Sequence, residues 1–353
     1  MRIALLHPPD GMVPAVPYAS LGTLNGCLRA AGHEVILVDA CLEVFLALHA
    51  RERLEAWHDR AEAVRKDLER EEVRTEEQAR ELHRLQQLLA IPRSLFAEVG
   101  DALAVLRDRE RFVDPDAFNR AHDVIQSCSR FAYSLSPDGF AGERHMGHAV
   151  LAAPSPGPLP DPPIEAYGPI VERVLATQPD LVGISVPYSS SVFYGLKLAR
   201  AFKERAPGIP IIMGGAAIDC PEYAVTEDPF YFRVLDYVMV GEGEVQFPRF
   251  ADALEKGEDP TSVSNLRWVQ EDGTVGQTSF ALVTDLNAIP APDYSGLPLG
   301  DYLLPDPVAT FQTSRGCYYG KCTFCSELFR KSFRIRQPDL VVEDMVSIHR
   351  KTG

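Results

Sequence analysis

No apolar run in this chain approaches the roughly 20 residues that a bilayer-spanning helix needs, and none reads as a membrane segment. An excess of positive charge is also missing. With 50 Asp and Glu against 35 Lys and Arg, the formal net charge is −15. Such a chain is a poor general binder of nucleic-acid phosphates and lacks the cationic surface that favours anionic membranes. The N-terminal apolar stretch, Ile3-Ala4-Leu5-Leu6, is too short for a signal peptide, so a cytoplasmic location is the expectation. Internal repeats are lacking too. Cysteine is sparse and unevenly placed. Cys27, Cys41, Cys128 and Cys220 are scattered among apolar neighbours and read as buried thiols. Cys317, Cys322 and Cys325 fall together. In a reducing compartment such a cluster points to metal, not disulfides.

The chain is 353 residues long, 46% hydrophobic and 24% charged, which allows several domains with their own cores. Residues 2–7 form a strand candidate, followed by a Pro/Gly-rich loop. Ser20 is placed to cap a helix that runs to about Ala31 and stops at Gly32. Residues 34–40 are a second buried-type strand. This β-loop-α-β opening predicts a parallel α/β sheet.

The rhythm then breaks. Leu54, Trp57, Ala61, Val64, Leu68, Thr75, Ala79, Leu82, Leu85 and Leu89 recur at helical steps. They predict one apolar stripe on a long helix, interrupted at Pro92. Shorter amphipathic stretches follow at residues 95–106 and 115–131. The whole predicts a helical insertion, either a cover for the sheet or a lid. A Pro-rich linker occupies residues 154–163. Strands are then expected at 181–187, 210–215 and 237–241, and helices at 167–177, 192–205 and 244–255. A hairpin is predicted from 266–270, through the Asp272-Gly273 turn, to a return at 280–283. A second Pro-rich linker (289–307) leads to an apolar strand-like run (308–311), the cysteines, and an amphipathic helix at 338–351.

Five strands in this order suggest a doubly wound sheet with ligand loops at the carboxyl ends of its strands. Those ends are small and loop-like. They read His7-Pro8-Pro9-Asp10-Gly11, Pro187-Tyr188-Ser189-Ser190-Ser191, Gly214-Gly215-Ala216-Ala217 and Gly241-Glu242-Gly243-Glu244. Glycines let backbone approach a large ligand, and serine hydroxyls supply donors. Each piece alone also fits an ordinary tight turn.

The last cysteines stand in Thr313-Ser314-Arg315-Gly316-Cys317-Tyr318-Tyr319-Gly320-Lys321-Cys322-Thr323-Phe324-Cys325. Three thiolates can hold three irons of a 4Fe–4S cube and leave the fourth open to chelate a small molecule. A zinc site would need a fourth ligand. Cys220 and His349 are the nearest candidates, and neither has finger-like spacing.

This segment, with Arg334-Ile335-Arg336-Gln337-Pro338 downstream, resembles the radical S-adenosylmethionine (SAM) superfamily. The four strand-end loops, taken in order, resemble the cobalamin domain of its B12-binding class. The resemblance implies an α/β, flavodoxin-like (Rossmann-type) B12-binding domain with a helical insertion. It implies that the first βα unit of a radical SAM partial TIM barrel follows. The expected bounds are 1–41 and 164–260 for the cobalamin domain and 42–153 for the insertion. The hairpin and linker take 261–308, and the start of the radical SAM domain takes 309–353. The implied cluster ligands are Cys317, Cys322 and Cys325. Phe324 is implied near the adenine of SAM. Pro9, Asp10, Ser189, Ser190, Gly214, Gly215, Gly241, Glu242 and Gly243 are implied around cobalamin.

The implied chemistry is one-electron cleavage of SAM to a 5′-deoxyadenosyl radical that takes hydrogen from an unreactive carbon, with methyl transfer as one outcome. A reductant such as flavodoxin or ferredoxin is the implied partner, and the substrate is not readable. Two features depart from the pattern. The first cysteine spacing has one extra residue, which Gly320 is suited to absorb. The loop Asp10-Gly11-Met12-Val13-Pro14 lacks the histidine that B12-dependent mutases place there, so a His-off cobalamin is implied. The Gly-Gly-Glu-like strand of the family is not met before Gly353, and the expectation is a fragment without turnover. A cobalamin carrier or sensor, and a zinc-stabilised interaction protein, are the competing readings.

Overall fold

The computed structural model describes residues 1–135, 162–218, 227–325 and 332–352. Cys220 and most of the first Pro-rich linker lie outside them. In chain order the elements are β1 (Arg2–His7), α1 (Ala19–Ala30), β2 (Glu34–Asp39), α2 (Ala40–Leu48), α3 (Arg51–Arg70), α4 (Glu76–Leu88), α5 (Ser94–Arg107), α6 (Arg109–Phe112) and α7 (Pro115–Ser134). There follow α8 (Pro162–Ala176), β3 (Leu181–Ser185), α9 (Ser189–Arg205), β4 (Ile211–Gly214), β5 (Tyr237–Met239) and α10 (Gly243–Lys256). The last are β6 (Leu266–Val269), β7 (Val275–Gln277), β8 (Ser314–Arg315), β9 (Arg334–Ile335) and α11 (Pro338–Thr352).

The main sheet runs β2-β1-β3-β4-β5-β6-β7. Its first five strands are parallel, as expected. The order reverses direction between β1 and β3, the switch point where doubly wound sheets bind ligands. Alternate residues of a strand face opposite sides, and here both sides are covered. Ala4 and Leu6 join one apolar cluster, while Ile3 and Leu5 join the other with Leu21, Leu28 and Phe250. That is why β1 reads as a continuous apolar run and not as an alternation.

The hairpin β6–β7 extends this sheet antiparallel to β5. Its return is Val275–Gln277, not residues 280–283. Gly273 (φ +82°) closes the turn and the Gln270 N–H donates to Thr274 O at 2.9 Å, which fixes the return immediately. α1 begins at Ala19, so Ser20 does not cap it. Gly32 ends the turn that follows the helix at φ +94°.

The long insertion helix is two helices. α3 ends at Arg70, and Thr75 restarts the chain with a capping box to Gln78. The apolar stripe stays in phase across the break, which hid it. Leu54, Trp57, Leu85, Phe96 and Phe131 pack into the cluster that covers the Ala4/Leu6 side of the sheet. The insertion therefore covers the sheet. It also grips the second linker. Arg107 donates to the carbonyls of Asp301 and Tyr302, and Arg109 pairs with Asp306.

That linker lies across α1 and the β1–α1 loop. The Asp293 N–H donates to Gly22 O (2.8 Å) and the Leu303 N–H to Pro14 O (3.1 Å). Residues 308–311, read as a strand, have no strand partner among the described residues. Ala309 and Phe311 instead pack as coil on the sheet core. β8 pairs with β9 and closes the base of the cysteine loop. The helix expected at 338–351 is present as α11.

Candidate functional site

A cleft of about 1180 Å³ opens at the carboxyl edge of the sheet. Small-molecule pockets usually span roughly 300–1,000 Å³, so this one suits a larger ligand. Its lining is rich in glycine. Gly183, Gly214, Gly215, Gly241 and Gly243 all line it. Two of these positions demand glycine. Gly215 has φ +124°, and a Cβ there would lie 2.6 Å from Val186 O. Gly241 has φ +78°, and a Cβ would lie 2.7 Å from the Phe280 ring. At the switch point the hydroxyls of Ser20 and Ser185 meet at 2.8 Å. Ser189 and Ser190 line the cleft from the first turn of α9. Tyr18 stands between His7, stacked at 5.5 Å, and Tyr188, edge-on at 5.5 Å. Burial, with Tyr188 and Asp10 adding to it, pushes the Tyr18 hydroxyl up to about 12.

The other wall comes from the cysteine segment. Gln312, Ser314, Arg315, Gly316 and Cys325 line the same cleft. Gly316 (φ +79°) and Gly320 (φ +59°) bend the loop. Gly320 thus takes up the extra residue in a conformation that suits it, and its N–H points at Cys317 Sγ (3.5 Å). Cys317, Cys322 and Cys325 are half-buried. The donor set, three thiols on one short loop with a backbone N–H aimed at sulfur, fits an iron–sulfur cluster. The glycine floor fits a large ligand held by backbone, as cobalamin's tail requires.

Not every residue singled out lies here. Pro9 is buried and does not line the cleft. Asp10 folds inward, its Oδ1 accepting from the Met12 N–H (2.8 Å) and Cys41 Sγ (3.4 Å). The ring of Phe324 is 89% exposed and does not line the cleft. Glu242 lines it, but its carboxylate is turned to protein. Oε1 accepts from Arg315 (3.1 Å), and Oε2 from Arg334 (2.7 Å) and the Val283 N–H (2.9 Å). Burial raises the Glu242 pKa, yet Arg334, Val283 and Arg315 outweigh it and hold the carboxyl below its usual value. Arg315 is the counterpart. Burial works against its charge, and Glu244 and Glu242 prevail, holding its pKa above normal. The spacing of these arginines and glutamates along the chain carries no signal of that convergence.

Among the described residues, two groups could close on a single ion, with ligand atoms within 4.8 Å of one another: His7/Asp39/Cys41 and His33/Asp252/Glu255. The first is a polar network centred on Asp39, in which the buried His7 Nε2 has no hydrogen-bond partner among the described residues. Asp39 accepts from the Cys41 and Leu42 N–H groups and from Tyr302 Oη (2.5 Å), and His7 Nδ1 sits at 3.3 Å. His7 itself is buried and does not line the cleft.

Comparison with known proteins bears on the fold. Residues 161–251 match the family model of the B12 binding domain. An uncharacterised methyltransferase of Pyrococcus horikoshii is 28% identical over 191 residues, 53% of this chain and 40% of that protein. Hopanoid C-3 methylase of Methylococcus capsulatus is 27% identical over 208 residues, 57% of this chain and 37% of that protein. The chain thus spans less than half the length of these curated relatives. The radical SAM methyltransferase TsrM of Kitasatospora setae, solved with cobalamin and a [4Fe-4S] cluster bound, shares the fold over 98% of this chain and 45% of its own. Its TM-score is 0.50 at 14% identity. The resemblance to B12-binding radical SAM proteins drawn from the sequence is borne out.

Proposed function

We propose that this chain carries the cobalamin-binding and cluster-bearing parts of a radical SAM enzyme, with methyl transfer to an unactivated carbon as the reaction class. One observation carries the reading: Cys325 and the glycine floor of the sheet edge border a single cleft. A cluster on the cysteine loop and a cobalamin on the sheet edge would then share that cleft.

Cys317, Cys322 and Cys325 would hold the cluster, which supplies the electron that cleaves SAM when bound. Gly214, Gly215, Gly241 and Gly243 would give backbone contact to cobalamin, and Ser189, Ser190 and Ser185 hydroxyl contact. Two placements support a His-off cobalamin. The loop after β1 has no histidine, and His7 is buried against Asp39. The tyrosine wall of Tyr18 and Tyr188 would limit water on that side. A flavodoxin- or ferredoxin-type reductant would dock at the cysteine loop, whose Tyr318 and Phe324 are exposed.

The test is anaerobic reconstitution of the chain with iron, sulfide and hydroxocobalamin. Expected are a brown 4Fe–4S absorbance, about four irons per chain, and cobalamin that survives gel filtration and, once reduced chemically to cob(II)alamin, shows no histidine-nitrogen splitting in its EPR spectrum. Cys317→Ser, Cys322→Ser or Cys325→Ser should each abolish the iron and spare the cobalamin. A colourless, zinc-containing chain would overturn the reading.

A further inference from the structure

The cysteine loop has a neck, and each side of the neck carries an arginine. Ser314 pairs with Ile335 and Arg315 with Arg334 across β8–β9. Both arginines leave the cysteine segment and end on one carboxylate of the sheet domain, Glu242. Arg315 reaches further, its second nitrogen pairing with Glu244. Arg334 also donates to Val283 O, whose own N–H donates to Glu242. All four charged side chains are 6–13% exposed.

Such a group is poorly explained by stability alone. Taking charges out of water is costly, and apolar replacements of buried ion pairs are often no worse. What a buried arginine fork provides is direction. It presents several donors in one plane and meets two carboxylates in one geometry only, which lysine cannot do. Glu242 and Glu244 sit on either side of Gly243, at the sheet edge that floors the cleft. The fork therefore registers the cysteine loop against that floor.

We propose that Glu242, with Arg315 and Arg334, is a positioning clamp that sets the height and orientation of the Cys317–Cys325 loop over the cofactor cleft. This rests on the reading above for what the loop carries. The clamp itself stands on contacts within the chain. Glu242 then belongs to the framework of the site and not to its ligand contacts.

Two measurements on the full chain test it. The first needs no cofactor. In Glu242→Gln, amide exchange at residues 314–315 and 334–336 should accelerate on the order of tenfold or more, with the core of the sheet unchanged. Arg334→Gln should do the same, and Arg334→Lys, which keeps the charge but not the fork, should recover only part of the protection. The second is spectroscopic. In reconstituted chain, Glu242→Gln should keep its iron and cobalamin but change the EPR coupling between the reduced cluster and cob(II)alamin. Unchanged exchange at the neck, or unchanged coupling at equal loading, would overturn the clamp. Should Glu242→Gln not fold, Glu244→Gln, which releases only one partner of Arg315, is expected to show both effects in smaller degree. If the wild-type chain takes up no iron or cobalamin, the functional reading fails, and the exchange measurement still decides the clamp.

Discussion

The ring of Tyr294 occupies the space that a side chain at Gly22 would need. A Cβ on Gly22 would come within 2.4 Å of Tyr294 Cζ and within 2.7 Å of two further ring carbons. One turn along α1, a Cβ on Gly26 would lie 2.4 Å from Ala291 O. Two glycines on one helix face thus let the linker lie directly on α1. Tyr294 in turn donates its hydroxyl to Thr310 O, just ahead of the cysteine segment.

Gly22→Ala is expected to destabilise the fold. Helix propensity alone would favour alanine by about 1 kcal/mol. The clash is with a fully buried ring, and overpacking of this kind costs about 1–3 kcal/mol. A net loss of up to about 2 kcal/mol should appear as a lower urea midpoint with an unchanged slope. A midpoint at or above wild type would show that the linker yields freely.

Tyr302→Phe should remove the only hydroxyl partner of Asp39 Oδ2 among the described residues. The expected cost is about 1–3 kcal/mol, because a buried acceptor is left unmade. It should also change acid sensitivity. Burial raises the Asp39 pKa, but His7, Tyr302 and the Leu42 N–H together hold it below normal. That stabilisation is present above the ordinary carboxylate range and is lost as pH falls through the lowered value. The variant should lose less on acidification than wild type, measured by thermal unfolding between pH 7 and pH 3.

His49 sets a second acid response. Burial pushes its pKa from 6.5 down to about 4, against the raising effect of its bond to Phe45 O (2.7 Å). The unfolded chain therefore takes up this proton first. Stability should be full above pH 6.5 and fall as pH drops towards 4, by about 3 kcal/mol in total. His49→Gln, which keeps hydrogen-bonding capacity towards Ser129 without a titrating ring, should flatten that interval. An unchanged profile would place the acid sensitivity elsewhere.

Gly215→Ala combines a backbone conformation that L-residues rarely adopt with a Cβ set against Val186 O. The strand-end loop must move, and cobalamin should bind roughly tenfold more weakly, equivalent to about 1.4 kcal/mol. Titration followed by absorbance checks this. Gly257→Ala, also at positive φ but with open space around it, controls for backbone strain alone.

Much of the sheet was readable because parallel strands covered on both faces are continuous apolar runs, as in β1 and β3. The division of the insertion was not, because the stripe from Leu68 to Ala79 keeps its phase through a loop whose Val73 is 87% exposed. The capping box Thr75-x-x-Gln78 was the available signal. Around the cleft, the glycines and cysteines announced themselves by residue type. The placement of Asp10 did not, since its carboxylate can satisfy either a ligand or its own turn. Nor did the convergence on Glu242, whose partners lie 73 and 92 residues away. Local spacing says nothing about contacts at that range.

The hold of Arg107 and Arg109 on residues 301–306 has a practical consequence for chimeras. The inserted helices act as a guy-rope on the leash that leads to the cysteine loop. Trimming them to obtain a smaller module would slacken that leash while leaving every residue that lines the cleft intact. Transplants between relatives should therefore carry helix bundle and leash as one cassette.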